Sequence, residues 1–542
     1  MKMIGMAVWA LALAGRTAAQ DWPEYCGSPC KNLVAHASNL PESFVPGERD
    51  SMRGTIILST ATNVLWGVRT SSLTYPSPTV AGGKIFTGGL ESGLGVFKCL
   101  DARDGTLLWE YAAPFRKFPG EIDKGFKYML GRITPNLGIC ATATYDDGRL
   151  YFVNHRCEVL CLDANGGTEA FVKPEPSPTA ARKTAETAPP LAPAAGVRGA
   201  KTVWTFDLWD YGIRPADAAN GSPLLDGDFL YINTSNGTDR DAQADYYDDR
   251  KAPAPDAPNL IVLDKKSGRL LATDDEKRIG PNLMHGQWST PSLGVVNGKK
   301  LIFFGAGDGC CYAFEALTAA PDKPVKLKTV WWCDCIPPEY RVKRDDLNWA
   351  ALYSLGDKRL KRSLNKQNES SYVGASEIIG CPVFLNNRVY VAIGRDPEHG
   401  HGRGALWCLD ATKSGGAGAG GEITQSGKIW CYQGLDRTLA TPAIQDGLLY
   451  ISDVAGRIHC LEAETGKPVW VHETGADAWS STLLADGKLF FPTLKHLWVL
   501  AAGREKKVLS KISLGAAMYA TPVAVDNTLY INSRNYLWAV RK

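Results

Sequence analysis

The sequence predicts an all-β fold, a closed ring of eight four-stranded antiparallel blades. Three observations predict it. One motif recurs eight times, its last copies lie about 40 residues apart, and the two ends of the chain carry incomplete blades that complete each other.

The motif is an apolar strand running into x-Leu-Asp-Ala-x-x-Gly, then a second apolar strand that ends in Trp. Its clearest copies run from Phe97 to Trp109, Val159 to Gly167, Leu260 to Leu271 and Ile458 to Trp470. More divergent copies begin at Cys311, Leu406, Leu497 and Leu537. Aligned on the residue before Leu-Asp, the eight copies place Cys99, Cys161, Val262, Ala313, Cys408, Cys460, Val499 and Ala539 at one structural position. A four-stranded blade accounts for each spacing of about 40 residues. Longer spacings mark insertions near 171–200, 236–258, 336–370 and 411–426. The Pro/Ala-rich run from Lys173 to Arg198 and the Gly-rich run from Gly415 to Gly421 offer nothing to bury and read as surface loops.

The chain ends decide between a ring and an open solenoid. The eighth copy stops at Lys542 after its third strand, while Asn63 to Arg69 is a fourth strand with no first three before it. Pairing the two closes the ring and removes an exposed edge. A solenoid would need polar capping repeats instead. The propeller then spans 50–542, with an N-terminal extension at 21–49.

Residues 1–20 begin Met-Lys-Met, continue with an apolar run from Ile4 to Gly15 and end in small residues before Gln20. That is the pattern of a secretory leader, too short to span a bilayer, and it predicts an exported, periplasmic or extracellular protein. No later stretch reaches the ~20 apolar residues of a transmembrane helix. Net charge is only +3 on 542 residues, which argues against a nucleic-acid partner. The abundance of glycine (55) and tryptophan (16) fits turn-rich β structure with aromatic packing. A monomer is expected, since the closed ring leaves no edge to pair.

Fourteen cysteines in an exported chain invite a disulfide framework, but the repeat dissolves most of it. Cys99, Cys161, Cys408 and Cys460 stand where other blades have Ala or Val, and equivalent positions in separate blades lie too far apart to bridge. Cys26 and Cys30 flank a turn and form one candidate pair. Cys310 and Cys311 are either a vicinal disulfide or two unbridged thiols at a strand start. Cys333-Asp334-Cys335 lacks the spacing of a zinc site, and no Cys-x-x-Cys-His haem motif exists.

Propeller ligands sit at the mouth of the central channel. The innermost strands here begin with Ser/Thr-Pro, at Ser77, Ser222, Thr290, Thr441 and Thr521. Three residues before the Pro position stand Tyr75, Cys140, Asn220, Trp288, Ile379, Leu439, Trp479 and Tyr519. The four aromatic members either plug a narrow channel or form a stacking platform for a flat ligand. Polar residues concentrate elsewhere, in Asn233 to Asp239, His285 to Trp288 and Asp396 to His401. Asn236, Asp239 and Asp308 are candidate metal ligands; Asp239, Asp396 and His399 are candidate catalytic groups.

The Leu-Asp-Ala-x-x-Gly-x-x-x-Trp repeat, clearest at Leu100 to Trp109 and Leu461 to Trp470, resembles the tryptophan-docking repeat of pyrroloquinoline quinone (PQQ)-type propellers. Asp21 to Tyr25, His285 to Leu293 and Asp396 to His399 are similar to stretches of PQQ-binding-like repeat proteins exported by bacteria. The resemblance covers 21–542 and implies one of two roles. One is a non-catalytic binding or scaffold propeller with a small-molecule, glycan or envelope-protein partner, like the outer-membrane assembly scaffold. The other is a dehydrogenase holding PQQ and Ca²⁺, oxidising an alcohol or sugar and passing electrons to a separate acceptor. In that second role Trp288 would stack on the quinone, and Cys310-Cys311 would correspond to the vicinal disulfide of alcohol-oxidising members. The pair lies on a middle-blade strand rather than in the early-blade loop of that family, and the calcium-binding carboxylate and Asn have no matching positions. The first role is favoured, because the repeat is preserved while the catalytic signature is not visible. A third role, hydrolase or lyase chemistry, would draw on Asp239, Asp396 and His399.

Overall fold

In the computed structural model, which describes residues 21–116, 137–175, 196–215, 218–238, 252, 254–340, 377–397, 403–414 and 420–542, every blade is built on one cross-strand triplet. The second strand supplies an aromatic residue, the third a small one and the fourth, in six blades, a tryptophan. In blade 1 these are Phe86, Cys99 and Trp109; in blade 6, Tyr450, Cys460 and Trp470. Neighbouring strands bring opposed Cβ atoms to about 5 Å, so the residue between two large rings has to be small. The rings meet across it, with centroids 6.0 Å apart for Phe86 and Trp109 and 5.9 Å for Tyr450 and Trp470. All eight positions aligned from the sequence occupy this middle place, and in all eight a register shift follows at once, as between Cys99 and Leu100. Such a bulge increases strand twist, which the outer edge of a propeller blade requires.

Each blade is an antiparallel meander whose strands run A to D from the channel outward. Blade 1 comprises Thr79–Ala81, Lys84–Glu91, Leu94–Asp101 and Leu107–Pro114. Blades 2 to 7 repeat the order, their inner strands being Thr144–Asp146, Leu224–Asp226, Ser292–Val296, Val383–Leu385, Ala443–Gln445 and Leu483–Ala485. Blade 8 takes strands A to C from the end of the chain, Val523–Val525, Thr528–Asn532 and Tyr536–Val540. Its strand D is Val64–Arg69, paired antiparallel to Tyr536–Val540. The ring therefore closes as the chain ends predict. A hairpin of Glu48–Asp50 and Thr55–Ile57 extends blade 8 outward to six strands.

Tryptophans join the blades. The Trp66 indole donates to the Ala102 carbonyl at 3.1 Å, Trp109 to Ala164 at 3.0 Å, Trp204 to Lys265 at 3.1 Å, Trp430 to Ala463 at 3.1 Å and Trp470 to Gly503 at 2.9 Å. Each acceptor lies in the turn between strands C and D of the next blade. That turn holds the repeat glycine: Gly166 sits at φ +73°, and a Cβ there would lie 2.6 Å from the Trp109 ring. Blade 7 has Ser510 instead of Trp. There Ser510 donates to the Glu42 carbonyl, and buried Leu40 and Phe44 join the core shared with blade 8.

Residues 22–38 run around the base of the ring, where strands A end. An innermost strand has one unpaired edge facing the axis, and this segment supplies its partners. Trp22 exchanges backbone hydrogen bonds with Val80, Pro23 accepts from Tyr145, Pro29 from Leu293, Cys30 from Phe384 and Leu33 from Leu484. The Asn32 amide both donates to and accepts from the Ile444 backbone, Val34–Ala35 pairs parallel with Leu484 and Ala485, and Ser38 donates to Asp526. One segment thus touches blades 1, 2, 4, 5, 6, 7 and 8.

The leader at 1–20, Asp239, Glu398, His399 and His401 lie outside the described residues, as does most of the insertions at 171–200, 236–258 and 336–370. Among the described residues no helix is long and apolar enough to cross a membrane. No two of the fourteen cysteine sulfurs are joined in this structure. Cys310 and Cys311 are strand neighbours whose side chains enter different cores, Cys310 toward blade 3 and Cys311 toward blade 5, because successive strand residues face opposite ways. Cys26 is turned inward and buried, while Cys30 is half-buried beside the Ser28 hydroxyl at 3.3 Å.

Candidate functional site

The start of each inner strand places one residue on the axis. At the Ser/Thr-Pro positions these are Ser77, Thr142, Ser222, Thr290, Cys381, Thr441, Ser481 and Thr521. Their hydroxyls bind blade to blade. The Thr142 N–H donates to Ser222 at 3.0 Å, Cys381 to Thr441 at 2.9 Å, Thr441 to Ser481 at 2.9 Å and Ser481 to Thr521 at 3.1 Å. Thr142 also donates its own hydroxyl to the Ser77 carbonyl at 3.1 Å. A Ser or Thr fits here because it is short, and its oxygen accepts from the preceding blade while its hydrogen remains available. In six of the eight blades the following residue is proline, which fixes the extended entry into strand A.

Above this hydroxyl ring lies the mouth ring. All eight residues read from the sequence, Tyr75, Cys140, Asn220, Trp288, Ile379, Leu439, Trp479 and Tyr519, line a single axial cavity of about 140 Å³. Tyr75 and Tyr519 pack with centroids 4.8 Å apart, and Trp479 meets Tyr519 at 5.3 Å, so blades 7, 8 and 1 contribute one continuous aromatic cluster. Trp288 stands apart from it. Its indole donates to the Ala218 carbonyl at 3.1 Å and its ring meets His285 edge-on at 5.0 Å.

Tyr25, from the N-terminal segment, forms the floor. Its hydroxyl is hydrogen-bonded to Thr441 and Ser481, and burial pushes its pKa well above the ordinary tyrosine value. The sequence reading missed Tyr25, because it belongs to an unrepeated stretch and carries no periodic signal.

The polar candidates lie elsewhere and are occupied by local structure. Asp308 accepts from the Tyr312 hydroxyl at 2.6 Å and from the Cys310 N–H at 3.0 Å, and burial raises its pKa to about 6. Asn236 accepts from the Arg214 N–H at 3.1 Å and donates to the Ala254 carbonyl at 2.9 Å. The Asp396 carbonyl receives the Arg437 guanidinium at 3.4 Å, and its N–H donates to Glu377 at 3.2 Å. The cavity is lined by none of the three. Among the described residues no three His, Cys, Asp or Glu side chains converge as metal ligands. A further buried network escaped the sequence reading: Asp453 accepts from Arg457 at 2.8 Å and from His459 at 3.1 Å, and the other His459 nitrogen meets the Tyr432 hydroxyl at 3.1 Å. Burial works against the Asp453 carboxylate, but these partners outweigh it and hold its pKa below the usual range.

Residues 405–533 match the PQQ_2 family model, described as outer membrane protein assembly factor BamB. A europium-containing methanol dehydrogenase superposes with a TM-score of 0.53 at 12% identity, covering 95% of this chain and 90% of that one. Residues 405–533 carry the PQQ-type repeat, and the chain as a whole shares the propeller fold. BamB from Moraxella catarrhalis (TM-score 0.48, 12% identity, 88% of this chain and 96% of that one) and the quinohemoprotein alcohol dehydrogenase from Comamonas testosteroni (0.43, 12%, 96% and 80%) are also similar to this propeller. At these identities the likeness concerns the fold. No curated protein matches the chain.

PQQ and Ca²⁺ do not fit the axial cavity of this propeller. PQQ is a flat quinone bearing carboxylates, and an enclosed site for it needs cationic or multiple N–H donors. Among the described residues the lining includes no Lys, Arg or His. Calcium takes six to eight oxygens, carboxylates prominent among them, and among the described residues the lining offers no carboxylate. The volume is also well below the ~300–1,000 Å³ of typical small-molecule pockets.

Proposed function

We propose that this PQQ-type propeller is an exported binding or scaffold protein whose axial channel is a structural core rather than a reaction site. The observation that carries the reading is the composition of that channel. Tyr75, Trp479 and Tyr519 pack on one another at its mouth, hydroxyls tie blade to blade beneath them, and Tyr25 closes the floor. The hydroxyls of Thr142, Ser222, Thr441, Ser481 and Thr521 are engaged in holding the ring together. A catalytic centre requires polar groups aimed at a reacting atom, and none of the lining side chains carries a charge to supply one.

Of the two uses of the aromatic quartet, the plug is the better supported. Binding then falls to the outer surfaces. The description of the matched family model, an outer membrane protein assembly factor, favours a protein partner of the cell envelope.

The test is direct. Purified protein is incubated with PQQ and Ca²⁺, desalted and examined for quinone absorbance, then assayed for dye reduction with a panel of alcohols and sugars. The expected result is no retained quinone and no dye reduction. Retention of the quinone, weakened by Trp288→Ala or Trp479→Ala, would overturn the proposal in favour of a dehydrogenase.

A further inference from the structure

The N-terminal segment reaches the hydroxyl ring at one place only chemically unlike the rest. Seven of the eight ring positions are Ser or Thr; the eighth, on blade 5, is Cys381. Facing it is Cys26, buried by the turn that inserts Tyr25 into the channel. The two thiols are in hydrogen-bond contact. Both are 1% exposed and share one core cluster. Their surroundings are fixed on every side: the Cys30 carbonyl accepts from Phe384 at 3.0 Å, the Cys381 N–H donates to Thr441, and the buried Lys31 ammonium is paired with Glu24. Cys26 itself holds a φ of +64°, a conformation that persists only where neighbouring contacts enforce it.

We propose that Cys26 and Cys381 form a disulfide that staples the N-terminal segment into the base of the ring. It is independent of the binding or scaffold reading. It replaces the local Cys26–Cys30 pairing expected from sequence: Cys30 sits on the outer side of the segment, while Cys26 points at a thiol 355 positions away in the chain. Burial also dictates when the bond forms. No reagent reaches either sulfur once the segment is seated, so the first step belongs to the unseated state.

The oxidant is a disulfide, from a protein dithiol oxidase or a small-molecule donor. The Cys26 thiolate attacks one donor sulfur and one donor thiol leaves, giving a mixed disulfide. As the segment seats, the Cys381 thiolate attacks the Cys26 sulfur, the mixed disulfide breaks and the second donor thiol leaves. Two electrons and two protons pass from the cysteine pair to the donor, which ends as two thiols. The Lys31 charge favours the Cys381 thiolate for the second step, against its burial.

The full chain is reduced in denaturant, refolded in oxidised and reduced glutathione, unfolded with iodoacetamide to cap free thiols, and digested without reduction. Mass spectrometry should find the Cys26 peptide joined to the Cys381 peptide, lighter than their sum by two hydrogens, with Cys30 capped. The same map should follow for C30S. If refolding yields no folded protein, the map is made on protein expressed into an oxidising compartment. Capped Cys26 and Cys381, or a Cys26–Cys30 bond, would overturn the proposal. A second readout needs no peptide map: reductant should lower the melting temperature of the oxidised wild type by several degrees and leave C381S unmoved, and an equal response of both would also overturn it.

Discussion

The Trp109 indole N–H donates to the Ala164 carbonyl at 3.0 Å across the boundary between blades 1 and 2, and this one bond shows how the ring holds together. Trp109 ends strand D of its own blade, and Ala164 lies in the C–D turn of the next. The indole is wholly buried, so the bond is made without competition from water, and the ring spreads over Gly166. Repeated at Trp66, Trp204, Trp430 and Trp470, the contact ties five of the eight blade boundaries together.

Trp109→Ala should therefore destabilise by about 3–5 kcal/mol, the usual cost of emptying a buried aromatic site. Trp109→Phe should recover part of this, keeping the packing and losing the donor. Gly166→Ala should also destabilise, because its Cβ would collide with the indole and its φ is positive. Denaturant titration of the three variants checks the order; equal stability of Trp109→Ala and wild type would contradict the docking role.

The middle position of the triplet yields a sharper contrast. Cys161 is flanked by Tyr151 and Trp204, and the fully buried side chain has no room to grow. Cys161→Ala should be tolerated within about 1.5 kcal/mol, whereas Cys161→Leu should cost about 1–3 kcal/mol through overpacking. The measurement is the denaturation midpoint, and a Leu variant as stable as the Ala variant would show that the triplet is looser than its geometry.

Ring closure rests on Val64–Arg69 pairing with Tyr536–Val540, reinforced by Trp66. Deleting residues 60–70 removes strand D of blade 8 and detaches the hairpin outside it. The expected result is aggregation or loss of a cooperative melt, since strand Tyr536–Val540 would become an exposed apolar edge. A normal melt would refute the closure argument.

Legibility in the sequence followed repetition. Cys99, Cys161 and the six residues aligned with them were readable because eight copies announce the same demand, one small side chain between two rings. The mouth ring was readable for the same reason, since counting back from the aligned position, proline in six of the eight copies, reaches the axis eight times. Tyr25, Cys26 and the wrapping of residues 22–38 were not, because they occur once and their partners lie on blades far along the chain. The hairpin at Glu48–Asp50 was hidden for a different reason: its three side chains are all charged, so no alternation of apolar and polar residues marks a strand. Asp308 and Asn236 looked like ligands because turn-forming and metal-binding residues are the same types; only their hydrogen bonds separate the two uses.

Asp308 supplies a pH test of that structural assignment. Its pKa rises from 3.8 to about 6 in the fold, chiefly through burial, partly opposed by the Tyr312 and Cys310 hydrogen bonds. The folded state thus holds a proton on Asp308 that the unfolded chain releases. Stability from this group is fully present below about pH 4 and is lost as pH rises through about 6, because the folded state binds more protons across that window. Asp308→Asn keeps one carbonyl acceptor for one of the two donors, Cys310 N–H and Tyr312 O–H, and cannot ionise. Melting temperature relative to wild type should therefore be lowest for the variant near pH 4 and improve toward pH 7. A difference that stays flat between those values would mean that Asp308 is not buried as its contacts indicate, and would reopen it as a solvent-facing ligand.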